Sequence, residues 1–147
     1  MLSAEDRWAI GEVISLHGHL FDEGHLDRLD ELFTADVVYD LTDFGMKRLN
    51  GIDAVRRATV KLGSANPLAH HVTNIVITSA DGESVRTRCK ALAVMGDGTC
   101  RSATYIDTLR REDGRWRLSH RTVFARRTPL NAVAGSHEPG HPTKNPA

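Results

Sequence analysis

The chain has 147 residues, and its 19 Lys and Arg balance 19 Asp and Glu, which gives a formal net charge of zero. This length suits one domain with a single hydrophobic core. The balanced charge argues against nucleic acid or an anionic membrane as a partner, and no apolar run approaches membrane-spanning length. Cys89 and Cys100 lie in separate strand-like segments and are expected to be free, buried thiols of a cytoplasmic protein.

The first part of the chain shows helical periodicity. Ser3, with Asp6 three residues later, predicts the N-cap and capping box of a long helix that Gly24 ends. HLDRLDELF predicts a second, short helix, and DVVYDL predicts a strand rich in β-branched and aromatic residues. A third helix is expected over IDAVRRATVKL, after Gly51 and before Gly63.

From His70 onward the pattern changes to strands. Four runs, beginning with HHVTNIVITS and ending with RWRLSHRTVFAR, are separated by three glycine-containing turns and predict an antiparallel meander. Helices followed by a long curled meander give an α+β fold, in which the curved sheet encloses a pocket. The domain is expected to cover residues 1–128, and residues 129–147 form a loose tail or one draped over a neighbouring subunit.

Two histidine motifs suggest metal binding and are rejected. HEPGH in the tail matches the HExxH pattern of zinc proteases. That pattern binds zinc only on a helix, which Pro139, Gly140 and Pro142 exclude. His17 and His19 are a poor chelate, because side chains two residues apart on a helix diverge. No metal and no organic cofactor are expected.

Four polar residues lie where they could face the predicted pocket. His17 continues the apolar stripe of the first helix, where a histidine is usually a core residue with one satisfied hydrogen bond. Asp22 lies at the end of that helix, where the helix dipole disfavours a carboxylate, so a donor from the sheet should compensate it. His70 and His71 point to opposite faces of one strand, and periodicity does not decide which faces inward.

The remaining polar candidates are ambiguous in sequence. Tyr105 and Asp107 share a face of the third meander strand. Arg121, in the last strand, is by composition alone a solvated cross-strand partner. Asp40 and Asp43, near the end of the first strand, are either turn residues or acids at the pocket mouth.

The order of these segments resembles the SnoaL-like branch of the nuclear transport factor 2 superfamily, a cone-shaped α+β fold. The matching stretches are FDEGHLDRLDELFTADVVYDL, NGIDAVR, HHVTN and TYIDTLRREDGRWRLSHR. Within that branch the chain is most similar to cofactor-independent dehydratases and eliminating lyases, namely scytalone dehydratase, hexachlorocyclohexane dehydrochlorinase and bile-acid dehydratase. The fold hosts many activities, so the resemblance specifies the architecture better than the reaction.

The resemblance implies a catalytic pair of Asp22, at the end of the first helix, and His70, on the first meander strand. His70 fits when HHVTN is read as the family's HxxxN pattern, with Asn74 as its last member in the substrate pocket. His71 is the alternative if the strand register shifts by one residue.

Four further site residues follow from the same resemblance. His17 and Arg121 take the positions that assist the leaving group in the dehydrochlorinase, although histidine replaces a lysine at position 17, which disfavours halide elimination. Phe21 stands where scytalone dehydratase has a tyrosine that helps hold water, so that substrate's chemistry is not supported. Tyr105 is the tyrosine nearest to the family's polar position on the third meander strand.

Three functions are compatible with these residues. The first is a lyase that eliminates water or HX from a small, hydrophobic, carbonyl-bearing cyclic substrate through Asp22 and His70. The second is an isomerase or polyketide-type cyclase that uses the same pocket, or Asp40 as steroid isomerases of this fold do. The third is a non-catalytic module that binds a small molecule or dimerises. Relatives usually pair or form trimers, so we expect a homodimer or homotrimer.

Overall fold

The computed structural model describes residues 1–132, in which a long helix packs against a curved, six-stranded sheet. The helices are α1 (Ala4–Asp22) and α2 (Ile52–Leu62). The strands are β1 (Phe33–Asp40), β2 (Leu49–Asn50), β3 (Ala69–Asp81), β4 (Ser84–Val94), β5 (Cys100–Glu112) and β6 (Arg115–Ala125). Short 3₁₀ segments lie at Leu26–Glu31, Thr42–Phe44 and Gly63–Ala65. The α+β architecture is the one that the sequence predicts.

The sheet has the strand order β2-β1-β6-β5-β4-β3. Strands β3 to β6 form the expected antiparallel meander, and β1 pairs with β6 in parallel. The parallel pairing sets Tyr39 of β1 opposite Arg121 of β6. Strand β3, which carries His70, forms the other edge of the sheet within residues 1–132.

Helix α1 begins as its sequence predicts. The Ser3 side chain accepts a hydrogen bond from the backbone N–H of Asp6, and the Asp6 carboxylate accepts one from the backbone N–H of Ser3. The helix packs against β3 and β6. Its buried residues are Ile10, Val13, Ile14, His17, Gly18 and Leu20. Each large aliphatic side chain in this set stabilises the fold by about 1.5–3 kcal/mol, so the helix is firmly anchored to the sheet.

Most predicted elements are confirmed, and the differences have local causes. Helix α2 coincides with IDAVRRATVKL. The second short helix is a 3₁₀ segment, since Arg28 has non-helical backbone angles within it. Strand β2 was not predicted, because two residues carry no periodicity. The expectation that both cysteines are buried is wrong for Cys100, which is exposed at the start of β5, whereas Cys89 is buried.

The predicted tail lies mostly outside the described residues. Pro129 to Ala132 are exposed. The HEPGH motif and the rest of the tail fall within residues 133–147, so the structure does not bear on them. Neither of the α-helices in residues 1–132 combines the length and the hydrophobicity needed to cross a membrane.

Candidate functional site

The sheet and its covering helices enclose a cavity of about 490 Å³. Its more buried lining includes His17, Phe21, Tyr39, His70 and Tyr105. Its exposed rim includes Phe44, Met46, Leu62, Cys100 and Arg101. Small-molecule sites commonly have volumes of roughly 300–1,000 Å³ and apolar walls with a few convergent polar groups. Both features fit this cavity, and its buried end carries the polar groups of His17, Tyr39, His70 and Tyr105.

Asp22 and His70 form a hydrogen-bonded pair, and the histidine of this pair lines the cavity. Oδ1 of Asp22 lies 2.6 Å from Nδ1 of His70, and Oδ2 accepts the backbone N–H of the same histidine at 2.8 Å. The side chains are mostly buried, with 16 % of His70 and 18 % of Asp22 exposed. An ionised carboxylate only accepts hydrogen bonds, so Nδ1 of His70 carries a hydrogen, and in the neutral ring Nε2 carries the lone pair. This arrangement holds the imidazole as a base.

Arg121 is completely buried, and each of its three side-chain nitrogens faces a protein group. Nε and Nη2 donate to the two carboxylate oxygens of Asp107 at 2.8 and 2.7 Å. Nη1 lies 3.0 Å from Nδ1 of His17, and the guanidinium carbon lies 4.1 Å from the ring centroid of Tyr105. Burial acts to lower the pKa of Arg121, but the Asp107 carboxylate outweighs it and raises that pKa. The interpretation of Arg121 as a solvated surface residue is therefore wrong.

His17 lies between Arg121 and the cavity. Its ring stacks on Phe21 with centroids 4.4 Å apart, and it meets the His70 ring edge-on at 5.0 Å. Burial lowers the pKa of His17 well below its ordinary value, and the neighbouring Arg121 and His70 act in the same direction. The ring is therefore a neutral imidazole near neutral pH.

The sequence profile of the SnoaL-like domain matches residues 2–122, which is most of the chain. The chain belongs to the SnoaL-like domain family. The resemblance deduced from the sequence is thereby confirmed. No curated protein matches this SnoaL-like chain significantly.

Solved structures share the fold. An NTF2-like protein with a cystatin-like fold from Novosphingobium aromaticivorans is 25 % identical, with a TM-score of 0.70 over 82 % of each chain. A protein of that organism named as a candidate aromatic ring hydroxylase is 25 % identical, with a TM-score of 0.73 over 91 % of this chain and 95 % of that one. A third, named as a candidate scytalone dehydratase, is 20 % identical, with a TM-score of 0.69 over 90 % and 95 %. This last likeness concerns the fold alone.

Tyr39 of this SnoaL-like domain was not predicted as a site residue, yet it lines the cavity with Tyr105. Burial raises the pKa of Tyr39, and it raises the pKa of Tyr105 well above its ordinary value. Both side chains are therefore neutral phenols, which can donate or accept a hydrogen bond. Strand alternation in DVVYDL puts Tyr39 on the same face as the buried Val37, and this signal could have identified it.

Two residues suggested for the pocket on β3 lie outside it. His71 is exposed and does not line the cavity, so His70 is the histidine that faces inward. Asn74 is exposed and has a φ of 54°, where the β3–β4 register is interrupted. The resemblance implied that Asn74 contributes to the substrate pocket, and this expectation is corrected by its exposed position at the irregularity in β3.

Asp40 is buried but is committed to its neighbours. Its Oδ1 accepts hydrogen bonds from the backbone and hydroxyl of Thr42, and its Oδ2 accepts one from Arg48 at 2.7 Å. The hydrogen bonds from Thr42, followed by Arg48, lower the pKa of Asp40 to about 2. The residue does not line the cavity. Its hydrogen bonds stabilise the chain at the end of β1.

The two histidines of HGH have separate environments. His17 is buried at the cavity, whereas His19 is exposed on the opposite side of α1. Within residues 1–132, no group of three or more His, Cys, Asp and Glu side chains is arranged to hold a metal ion.

Proposed function

We propose that this protein is a cofactor-independent lyase that eliminates water or HX from a hydrophobic, cyclic carbonyl compound. The observation that carries the proposal is the 2.6 Å contact between Asp22 and His70 at the wall of a largely apolar cavity. Nε2 of His70 makes no hydrogen bond within residues 1–132, so its lone pair is available to a ligand. A neutral imidazole is well suited to remove a carbon-bound proton near neutral pH.

The reaction begins with proton transfer to this imidazole. Nε2 of His70 takes the proton from the carbon next to the substrate carbonyl, which gives an enolate and an imidazolium. The carboxylate of Asp22 stabilises that imidazolium through the hydrogen bond to Nδ1. The bond from the β-carbon to the leaving oxygen then breaks, and the enolate electrons form the new carbon–carbon double bond. The imidazolium returns its proton to the departing hydroxide, so that one water is released.

Two neutral phenols share the cavity with His70. Tyr39 and Tyr105 line the same cavity, and their hydroxyls supply donors for a departing oxygen. The apolar remainder of the lining suits a ring system rather than an extended polar substrate. These features favour water as the leaving group over a leaving group that needs a fixed cation beside it.

The test uses 3-hydroxycyclohexanones that carry apolar ring substituents. Loss of water produces a conjugated enone, which is followed by its ultraviolet absorbance, and exchange of the α-protons in D₂O is followed by NMR. We expect the His70→Gln variant to be slower than the wild type by about 10²- to 10⁴-fold. His71→Gln is the matched control, because it changes the exposed neighbour on the same strand. Equal rates in the two variants would remove the basis of the proposal.

Double-bond isomerisation is the alternative that the same base supports, since it needs proton removal and return but no leaving group. Cyclohex-3-enones, which become conjugated without losing water, distinguish the two reactions. Turnover of these compounds without turnover of the hydroxyketones would replace the lyase by an isomerase. A reaction with Asp40 as the base is disfavoured, because its carboxylate is held by Thr42 and Arg48 outside the cavity.

A further inference from the structure

The rings of His17 and His70 meet in the cavity wall, and their Nδ1 atoms face partners of opposite hydrogen-bonding character. Nδ1 of His70 faces the Asp22 carboxylate at 2.6 Å, and Nδ1 of His17 faces Nη1 of Arg121 at 3.0 Å. A carboxylate accepts hydrogen bonds, whereas a guanidinium has only donors. Nδ1 of His17 must therefore accept, and the hydrogen of that neutral ring is on Nε2. In the neutral ring of His70, the hydrogen is on Nδ1 and Nε2 is the acceptor.

Arg121 has little freedom to release His17. Two of its nitrogens are engaged with both oxygens of Asp107, and neither side chain of this pair is exposed. The ring of Tyr105 covers one face of the guanidinium. A bidentate fork of this kind fixes direction as well as distance. The remaining nitrogen, Nη1, is consequently held towards His17.

The surroundings of His17 also oppose protonation of its ring. The charged or titratable groups around it are Arg121 from β6, His70 from β3, Tyr39 from β1 and Tyr105 from β5. The Asp107 carboxylate is engaged with Arg121 instead of with the imidazole. A protonated His17 would place an N–H against the guanidinium, on a side chain that is only 2 % exposed.

We infer that His17 is a neutral hydrogen-bond donor to the substrate oxygen, and that Arg121 and Asp107 are positioning residues that fix its tautomer. His17 lines the cavity, and its Nε2 makes no hydrogen bond within residues 1–132. Its ring centroid is 5.0 Å from that of His70. One ring thus offers a donor and the other a lone pair to a single bound molecule.

This juxtaposition specifies a chemical class of substrate. An acidic C–H and a carbonyl oxygen on the next carbon would meet the base on His70 and the donor on His17, respectively. Ketones, aldehydes, esters and thioesters have this pairing. A neutral imidazole can polarise such a carbonyl without giving up its proton. The catalytic use of the two tautomers rests on the proposed function, whereas the tautomers themselves do not.

The first test reads the tautomers without any substrate. Long-range ¹H–¹⁵N NMR of the histidine rings in the full chain, from pH 5 to pH 8, should show His17 protonated on Nε2 alone and not titrating. Neutral His70 should be protonated on Nδ1, with His70→Gln and His17→Gln providing the assignments. An Nδ1–H tautomer of His17, or titration of its ring in this range, would overturn the inference whether or not the protein is a lyase.

The second test separates a donor role from a purely structural one. In His17→Asn the amide oxygen can replace Nδ1 as the acceptor for Arg121, but the NH₂ of this shorter side chain does not reach the position of Nε2. In His17→Gln the amide nitrogen reaches the position of Nε2. We expect α-proton exchange to fall about 10²- to 10³-fold in His17→Asn, as on the loss of one oxyanion donor, and less in His17→Gln. Full activity of His17→Asn alongside an inactive His70→Gln would overturn the donor role and leave the lyase proposal standing.

A binding measurement keeps the donor role testable if no turnover is found. Adamantan-2-one labelled with ¹³C at its carbonyl is apolar and does not enolise readily, so it reports the environment of the oxygen alone. A donor from His17 should move the carbonyl resonance of the bound ketone downfield in the wild type and in His70→Gln, and clearly less in His17→Asn. The same shift in all three proteins would contradict the donor role.

Discussion

Gly18 of α1 packs against the backbone carbonyl oxygen of His70, in a contact that only a residue without a side chain permits. A Cβ atom at position 18 would clash with that oxygen, because it would lie closer than van der Waals contact allows. This close approach of α1 to β3 brings Asp22, one helical turn later, within reach of both the backbone N–H and the ring of His70. The geometry of the Asp22–His70 pair therefore depends on a glycine that bears no chemical group.

Replacing Gly18 with Ala should separate α1 from β3. We expect the free energy of unfolding to fall by about 1–3 kcal/mol, because overpacking outweighs the better helix propensity of alanine. Gly11→Ala is the matched control in the same helix, since an added Cβ there meets no atom within 4 Å. That variant should gain up to about 1 kcal/mol. Urea unfolding measures both changes, and a stabilised Gly18→Ala variant would contradict the packing argument.

Asp22→Asn should keep the fold and remove the base. The amide oxygen can still accept the backbone N–H of His70, but the amide NH₂ then faces Nδ1 and favours the Nε2–H tautomer, which has no lone pair for the cavity. The corresponding change in a serine-protease triad lowers kcat by about 10⁴-fold, and we expect a loss of similar order. The rate of α-proton exchange measures it, with circular dichroism as the control for folding. An unchanged rate would show that the carboxylate does not orient the ring.

Breaking the Asp107–Arg121 pair should destabilise the protein much more than breaking a surface ion pair. Asp107→Asn leaves a buried guanidinium without its counter-charge, which is expected to destabilise the protein by about 3–5 kcal/mol. Asp36→Asn breaks the pair with Arg110, in which the Asp36 side chain is 66 % exposed, and should cost less than about 1 kcal/mol. Chemical denaturation of both variants at neutral pH gives the comparison. Similar losses would mean that burial does not distinguish the pairs.

Asp40 should contribute to an acid limit of stability. Its pKa in the folded state is lowered from 3.8 to about 2 by hydrogen bonds from Thr42 and Arg48. Because the folded-state pKa is the lower one, the stabilisation is complete above pH 3.8 and is lost as the pH falls through about 2. The unfolding free energy of Asp40→Asn should thus fall less than that of the wild type over this interval. Parallel pH profiles in urea unfolding would argue against the depressed pKa.

The features that the sequence predicted depend on local chemistry. The capping box at Ser3, the bounds of α2 and the glycine turns of the meander each follow from a few adjacent residues. The choice between His70 and His71 does not, because it depends on how β3 lies against α1. In the structure Gly18 of α1 packs against His70, a tertiary contact that the sequence of one strand does not reveal.

The contacts among Asp107, Arg121 and His17 could not be predicted from the sequence for a related reason. Arg121 is buried because Asp107 lies directly opposite on β5 and β1 closes over its other side in parallel. The parallel pairing joins the first strand to the last across most of the chain, which periodicity does not reveal. Asn74 is a further case, since the family pattern implied a pocket residue and the irregularity in β3 leaves it exposed.

The rim of the cavity and its buried end come from different parts of the fold. Phe44, Met46 and Leu62 belong to the segment after β1 and to the last turn of α2, whereas the paired histidines lie on α1 and β3. Substitutions at the rim can therefore change which molecules enter while the proton-transfer groups keep their support. A scaffold divided in this way can acquire new ligands through mutational drift at its entrance, without having to rebuild its reactive interior each time.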